Sequence, residues 1–255
     1  MPPRVLVTRP AREAARWVRE LGERGIDAHA LPLIAIAPQP WGGALARARK
    51  ELGGYHAAMF VSANAARGFL EPETEPALPA ISTRAWSTGP GTTRALRQAG
   101  WPQGRIDAPP PGAAQLDSDA LWALVRGQIR PGWRTLIVRG GNAAGQPAGR
   151  QWLADQLLAA GAAVEQVVAY RRAAPAFTAA ERALAQSAAA DGSAWLFSSS
   201  EAIANLLAAL PGQDWSAATA LATHPRIAQA AQAAGFGRVR AAPPALDAVA
   251  AALRS

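Results

Sequence analysis

The stretch Phe60-Val61-Ser62-Ala63-Asn64-Ala65-Ala66 joins a short apolar run, 55–62, to a helical pattern, 64–70. An apolar run that ends in small polar residues and leads directly into a helical pattern predicts a buried strand followed by a helix. A similar stretch, Phe197-Ser198-Ser199-Ser200-Glu201-Ala202-Ile203, ends the run 194–198 and also leads into a helical pattern. The sequence therefore contains the same strand-to-helix unit at least twice.

Strand-like runs and helical patterns alternate along almost the whole chain. Such alternation predicts an α/β fold made of βαβ units, with right-handed crossovers and mainly parallel sheets that helices cover on both faces. The runs divide into two five-stranded sheets. They are 4–8, 29–37, 55–62, 85–88, 105–108, 135–139, 164–171, 194–198, 219–223 and 238–242.

An internal repeat supports two similar domains. Thr88-Gly89-Pro90 resembles Thr223-His224-Pro225, and Val5-Leu6-Val7-Thr8-Arg9 resembles Thr135-Leu136-Ile137-Val138-Arg139. These matches recur in the same order and at similar spacing, which predicts a duplication in which the two sheets are copies of one fold.

The composition excludes several kinds of site. The chain has no cysteine, so disulfides, thiolate nucleophiles and Cys-ligated metal sites are excluded. The three histidines, His29, His56 and His224, include no closely spaced pair, so metal catalysis is not expected and no metal ligand is assigned. None of the three histidines can be assigned to a Ser-His-Asp catalytic triad.

Charge and hydropathy indicate the class of partner. The formal net charge of +8 indicates an acidic partner. The basic residues are scattered singly and no aromatic RNA-binding signature occurs, so a small polyanion is expected and nucleic acid is not. No apolar run is long enough for a signal peptide or a membrane span, which predicts a cytoplasmic protein without membrane contact.

Three strand ends are suited to binding anions. In parallel α/β sheets, ligands bind at the carboxyl ends of strands, where the free N–H groups of the next helix bind carboxylates or phosphates. Ser87-Thr88-Gly89-Pro90-Gly91-Thr92-Thr93 has this form, as do Ser62-Ala63-Asn64 and Ser198-Ser199-Ser200. Each also has a structural interpretation, in which the residues turn the chain and cap a helix. None matches a nucleotide-binding glycine motif.

Three single residues have chemistry of interest. Tyr170 precedes two arginines, and a phenol beside guanidinium groups can donate a proton to a leaving hydroxyl, or it can be an ordinary half-buried strand residue. Arg139 either binds an anion or pairs with an acid. His224 lies at the start of a helix. A structural or general polar role for it is a simpler interpretation than a role as general base.

Together these segments resemble the uroporphyrinogen-III synthase family over essentially the whole chain. The family patterns include Phe-Thr-Ser-x-Asn-Ala, Gly-x-x-Thr and Arg-Gly…Gly-Arg-x-x-Leu. This chain departs from them at Val61, where Thr is usual, and at His224-Pro225-Arg226-Ile227, where many members have a Gly-Pro-x-Thr-like turn. The matching segments are Val5–Pro10, Leu31–Ile36, Phe60–Ala65, Gly89–Thr92, Val138–Gly140 with Gly149, Arg150 and Leu153, and Gly161–Glu165 leading to Tyr170–Arg172.

The resemblance implies a specific architecture. It predicts two similar α/β domains, each with a mainly parallel five-stranded sheet flanked by helices, joined by a two-stranded linker. One domain is discontinuous, 1–36 plus 173–255, and the other is 39–168. The linker strands are about 33–38 and 167–173, and the family implies a monomer.

The resemblance also implies the reaction. Hydroxymethylbilane would be cyclised to uroporphyrinogen III, with inversion of ring D and loss of water, in the biosynthesis of tetrapyrroles (haem, sirohaem or cobalamin). The enzyme would use no cofactor, because its task is to hold the linear chain in one conformation and exclude direct closure. The polycarboxylate substrate fits the positive charge of the protein. A transient contact with porphobilinogen deaminase is left open.

Site residues follow from the same resemblance. Tyr170 would be the catalytic residue that assists departure of the hydroxyl. The substrate-binding residues would be Arg9, Ser62, Asn64, Thr88, Gly89, Pro90, Gly91, Thr92, Arg139, Gly140, Ser199, Ser200, Glu201, His224 and Arg226.

Two other classes of protein also combine two α/β lobes. A non-catalytic small-anion binding protein of the hinge-closing type would usually carry an export signal, which this sequence does not show. A nucleotide-sugar transferase with two Rossmann-like lobes would usually be longer and would have an acidic nucleotide contact.

Overall fold

The computed structural model describes residues 4–70, 82–110, 113 and 115–254. Its strands are β1 (Val5–Val7), β2 (Ala28–Ala30), β3 (Ala35–Pro38), β4 (Ala57–Phe60), β5 (Arg84–Ser87), β6 (Ile106–Asp107), β7 (Arg134–Gly141), β8 (Ala163–Ala173), β9 (Ala194–Phe197), β10 (Thr219–Ala222) and β11 (Arg238–Ala241). Its α-helices are α1 (Ala11–Gly22), α2 (Gly43–Lys50), α3 (Ala63–Leu70), α4 (Pro90–Gln98), α5 (Ser118–Val125), α6 (Trp152–Ala159), α7 (Ala179–Ala190), α8 (Ser200–Ala209), α9 (Pro225–Ala233) and α10 (Leu246–Arg254).

The chain forms two compact units. Unit 1 consists of Met1–Ile36 and Ala173–Ser255, and unit 2 consists of Ala37–Arg172. None of the described helices is both long and apolar enough to cross a membrane.

Unit 1 contains a five-stranded sheet of order β11-β10-β9-β1-β2 among the described residues. All its strand pairs are parallel. In β1, Leu6 packs into one apolar cluster, whereas Val5 and Val7 pack into another. Successive side chains of a strand point to opposite faces, so helices cover this sheet on both sides.

The second sheet has the order β3-β8-β7-β4-β5-β6, and its strands belong to unit 2 except for the first two residues of β3 and the last residue of β8. Strands β4 to β8 form parallel pairs. Every residue of the central strand β4 is buried. Met59 packs among apolar residues that include Leu121 of α5 and Leu157 of α6, while Phe60 meets the ring of Phe69 of α3 edge-on. This sheet is therefore also covered on both faces.

The α/β fold with parallel sheets flanked by helices is confirmed, with one difference in strand count. The sequence predicts a single strand over 29–37, but the structure divides it into β2 and β3. Pro32 lies between them and has no N–H to continue a ladder. The neighbouring N–H groups of Leu31 and Leu33 still donate to the carbonyls of Val7 and Thr8. As β3 lies beside β8, the second sheet has six described strands, not five.

Candidate functional site

A cavity of about 230 Å³ lies in unit 2, where β4, β7 and β8 end. These strands are neighbours and parallel, so their carboxyl ends meet at one edge of the sheet. The cavity has an apolar part formed by Met59, Ile137, Leu153 and Ala154. Its polar lining comes from Ser62, Ser118, Arg139, Arg150, Tyr170 and Arg172. Hydroxyls and guanidinium groups thus share one space with an apolar wall.

Two hydroxyls form a short hydrogen-bond chain at this cavity. Ser62 follows β4 and caps α3, because its Oγ accepts from the backbone N–H of Ala65 at 3.1 Å. The same Oγ donates to the phenolic oxygen of Tyr170 at 3.1 Å. Tyr170 can therefore keep its own proton for a further acceptor, and hydrogen bonds linked in this way polarise one another. Nearby, Asn64 Oδ1 accepts from Arg67 Nη1 at 3.4 Å.

The Tyr170 ring lies directly over a glycine. A Cβ on Gly140 would be 2.5 Å from Cζ of Tyr170 and 2.7 Å from its hydroxyl oxygen, so any side chain there would displace the ring. The register between β7 and β8 shifts at this point: Arg139 pairs with Val168, but Gly140 pairs with Tyr170. This irregularity leaves Ala169 without an opposite residue and re-aims the tyrosine, as β-bulges do beside active sites.

Arg139 is a buried cation held by neutral groups. The residue is only 3% exposed. It donates to Gln166 Oε1 at 2.6 Å and to the carbonyls of Ala148 and Arg150 at 2.9 and 3.2 Å. Its Nε is buried and has no hydrogen-bond partner in the described part of the chain, and no described carboxylate forms an ion pair with it. Burial lowers the pKa of the Arg139 guanidinium, and the positive charge of Arg172 lowers that pKa further.

The segment after β7 wraps around this guanidinium. Gly141 pairs with Pro147 in an antiparallel bridge, so the chain folds back on itself. Gly149 has φ +103°, and a Cβ there would be 3.2 Å from Nη2 of Arg139. Arg150, which also lines the cavity, pairs with Asp119 near the start of α5. Among the described residues the contacts of Arg139 are thus neutral oxygens, and the alternative that it pairs with an acid is not observed there.

The predicted anion loop after β5 lies at the neighbouring strand end. Gly89 is the N-cap of α4, and Pro90 and Gly91 follow in its first turn. In this loop the hydroxyl of Ser87 forms a hydrogen bond with the hydroxyl of Thr93, and the two oxygens are 3.0 Å apart. Thr88 is half-buried and Thr92 is buried, and neither lines the cavity.

The remaining predicted residues lie in unit 1, at the carboxyl ends of β1, β9 and β10. Ser199 caps α8, whose first two residues are Ser200 and Glu201. His224 caps α9 through Nδ1, which accepts from the backbone N–H of Arg226 at 3.2 Å. Both capping contacts match the structural interpretation of these residues.

Arg9, at the end of β1, is held within its own unit. Its guanidinium carbon lies 4.3 Å from the centre of the Trp17 ring, and Nη1 is 3.7 Å from Glu13. Burial lowers the pKa of Arg9, and the charge of Glu13 opposes this shift.

Of the predicted site residues, the structure brings Ser62, Arg139, Gly140 and Tyr170 to one cavity. Sequence reasoning missed Arg150, Arg172 and Ser118 as lining residues. Arg172 had a usable signal, because residues two apart on a strand share a face and Arg172 is two after Tyr170. Arg150 also had one, because it belongs to the Arg-Gly…Gly-Arg-x-x-Leu pattern of the family. Ser118 had none, because it comes from a separate segment. Within the described ranges, no group of three or more His, Asp or Glu side chains is arranged to hold a metal.

Comparison with known proteins identifies the family. The family model described as HEM4, uroporphyrinogen-III synthase HemD, matches residues 15–251. The chain is similar in fold to the uroporphyrinogen-III synthetase of Helicobacter pylori 26695, with a TM-score of 0.60, 17% identity and 99% of each chain covered. It is also similar to a mutant uroporphyrinogen III synthase from the extremely thermophilic bacterium Thermus thermophilus, with a TM-score of 0.55, 16% identity, and 99% of this chain and 97% of that chain covered. Because the family model spans most of the sequence, the resemblance is confirmed and the chain belongs to the uroporphyrinogen-III synthase family.

Proposed function

We propose that this chain performs its family's reaction, the cyclisation of hydroxymethylbilane to uroporphyrinogen III with inversion of ring D and loss of water, and that Tyr170 is its proton donor. Family membership makes the chain a cyclising hydro-lyase of tetrapyrrole biosynthesis. The observation that carries the role of Tyr170 is its hydroxyl, which accepts from Ser62 inside a cavity lined by arginines. A proton donor beside positive charge suits an anionic substrate that must lose a hydroxyl.

Departure of the hydroxyl begins the reaction. The electrons of the terminal pyrrole expel the hydroxymethyl oxygen, which takes a proton from Tyr170 and leaves as water. The pyrrole nitrogen then loses its own proton, which restores the neutral phenol. The resulting azafulvene bonds to the substituted α-carbon of ring D and gives a spiro intermediate. The bond between ring D and its methylene bridge then breaks and re-forms at the free α-carbon, whose proton is lost as the azafulvene nitrogen regains one. Donation from Ser62 to the phenolic oxygen stabilises the negative charge that develops there.

The demand on this donor is modest. Hydroxymethylbilane ionises readily and also cyclises unaided to the wrong isomer, so the protein's main contribution is to hold one conformation of the substrate. We propose that the substrate-binding residues predicted from the sequence contact its acetate and propionate groups. In unit 2 these are Ser62, Asn64, 88–92, Arg139 and Gly140. In unit 1 they are Arg9, Ser199, Ser200, Glu201, His224 and Arg226.

We further propose that the enzyme acts in the cytoplasm as a monomer, without a cofactor, and receives its substrate from porphobilinogen deaminase through at most a transient contact. Sedimentation of the purified protein, alone and with the deaminase, tests the monomer and the contact. A single boundary at the monomer mass is expected for the protein alone.

The experiment that tests the function couples the protein to porphobilinogen deaminase and separates the porphyrin isomers after oxidation. The proposed enzyme converts the bilane to isomer III. A protein that only bound the bilane would leave isomer I as the sole product at every protein concentration, and that result would reject the enzymatic function.

A further inference from the structure

The cavity of unit 2 has two chemically different parts. Arg139 lines one side, and Met59, Ile137, Leu153 and Ala154 line another. At roughly 30 Å³ per water molecule, a volume of about 230 Å³ holds several waters and therefore more than a single small ion. An organic anion with an apolar stem fits both parts, because the stem replaces water on the apolar wall while the charged end meets the guanidinium.

The burial of Arg139 indicates independently that the ligand of this cavity is an anion. Burial of a cation without a counter-charge costs several kcal/mol in proteins. Arg139 is nevertheless buried, and its contacts are a side-chain amide oxygen and two carbonyls. The buried Nε has no partner among the described residues. A carboxylate that enters the cavity would neutralise this charge, and a planar guanidinium is the group best matched to a carboxylate.

We propose that this cavity binds a single alkyl carboxylate arm of the substrate, the arm carried by the same pyrrole whose hydroxymethyl group loses its hydroxyl. The inference rests on the proposed function, because it uses Tyr170 as the proton donor. Arg139 and Tyr170 both line the cavity, and Gly140, which follows Arg139 in β7, is covered by the Tyr170 ring. An arm anchored on Arg139 therefore keeps its pyrrole next to the phenol. Arg139 thus binds the carboxylate arm, and Tyr170 donates a proton to the leaving hydroxyl.

The test uses a fragment that can bind but cannot react. Pyrrole-3-propanoate carries one alkyl carboxylate and no leaving hydroxyl, and its neutral amide has nearly the same shape. Binding of both is followed through the backbone N–H signals of Gly140 and Gly149 in two-dimensional NMR spectra. The wild-type protein is expected to bind the carboxylate on the order of 10-fold more tightly than the amide, as charged hydrogen bonds allow.

Four variants locate the effect. Arg139→Gln should abolish the preference for the carboxylate, whereas Tyr170→Phe should keep it. Arg130→Gln is the matched control, because Arg130 also donates to backbone carbonyls, those of Gly127 and Ile129, but does not line the cavity. Ala154→Leu fills the apolar part and should weaken binding of the carboxylate and of the amide to the same extent. This variant still tests the cavity if Arg139→Gln fails to fold.

The outcomes separate this inference from the proposed function. If Arg139→Gln keeps the preference, or if the wild-type protein shows none, the carboxylate site is wrong even where Tyr170→Phe is slow. If Tyr170→Phe turns over normally but the preference depends on Arg139, the proton donor is wrong and the carboxylate site stands.

Discussion

The carbonyl oxygen of Ala169 in β8 lies so close to Gly68 of α3 that a Cβ on that glycine would be 2.3 Å away. Ala169 is the residue left over by the register shift between β7 and β8, directly before Tyr170. A glycine in the middle of a helix costs about 1 kcal/mol relative to alanine, so its presence calls for a packing reason. The irregular strand supplies that reason, because only a helix without a side chain there can approach it.

Gly68→Ala should therefore destabilise unit 2 and disturb Tyr170. A Cβ so close to a backbone oxygen forces the strand or the helix to shift, at a cost of about 1–3 kcal/mol in the free energy of unfolding. Because the shift occurs beside Tyr170, we expect kcat to fall as well. Denaturant unfolding and the coupled isomer assay measure the two effects. Gly22→Ala at the end of α1 is the control, since its added Cβ would meet no atom within 4 Å apart from its chain neighbours and its own helix backbone. A Gly68→Ala protein as stable and active as wild type would contradict the packing role.

Ser62→Ala should reduce turnover without changing the product. The variant removes the donor to the Tyr170 hydroxyl, which is worth about 0.5–1.5 kcal/mol for a neutral hydrogen bond and so roughly 2–10-fold in kcat. It also removes the cap of α3, and steady-state kinetics alone would not separate the two losses.

Thr178→Ala provides the capping control and is a prediction in its own right. Thr178 and Glu181 form a reciprocal capping box at the start of α7 in unit 1. Loss of such a cap costs typically about 1 kcal/mol. We expect the free energy of unfolding to fall by that amount while kcat stays the same. If Thr178→Ala slowed turnover as much as Ser62→Ala does, capping and not the contact with Tyr170 would explain both.

Tyr55, the other tyrosine, should make the free energy of unfolding depend on pH in the alkaline range. Tyr55 is buried, and its hydroxyl donates to Glu165 Oε2 at 2.5 Å. Burial, followed by this hydrogen bond, raises the pKa of Tyr55 well above its ordinary value. A raised pKa in the folded state means that the stabilisation is complete below the unfolded value, about 10, and is lost as the pH rises above it.

Tyr55→Phe should therefore lower the free energy of unfolding by about 1.5–3 kcal/mol at neutral pH, since the lost bond involves a carboxylate. Above about pH 10 the wild-type protein should lose its advantage over the variant, because only the wild type has this phenol to ionise. Unfolding curves of both proteins between about pH 7 and 11 check this. A difference that stayed constant across that range would contradict the assigned contact.

Local sequence patterns predict the fold well because the relevant physics is local. Phe60 ends a run of residues that are all buried, and Ser62 caps the next helix, so the pattern of apolar and capping residues reports the strand-to-helix unit directly. The split between β2 and β3 could also have been anticipated from Pro32, which cannot donate to a ladder. The sixth strand of the second sheet could not have been anticipated, because the local sequence does not show which sheet β3 joins after Pro32.

The site was less predictable because it depends on contacts between distant segments. Tyr170 stands out by its chemistry and its flanking arginines, but its orientation results from the irregular pairing at Ala169, which requires Gly68 about a hundred residues earlier in the chain. The contacts of Arg139 likewise come from a segment that folds back after β7. Nothing in the order of residues shows that this charge is buried without an acid.

The coupled isomer assay on Tyr170→Phe tests directly whether Tyr170 is the proton donor. The variant keeps the ring that packs over Gly140 and loses only the hydroxyl, so circular dichroism and thermal unfolding should show an intact fold. We expect kcat for isomer III to fall by on the order of 10²-fold, the lower end of the range for a general acid, while isomer I from unassisted closure rises. If Tyr170→Phe formed isomer III at the wild-type rate, the phenol would have no part in the chemistry and Tyr170 would not be the proton donor.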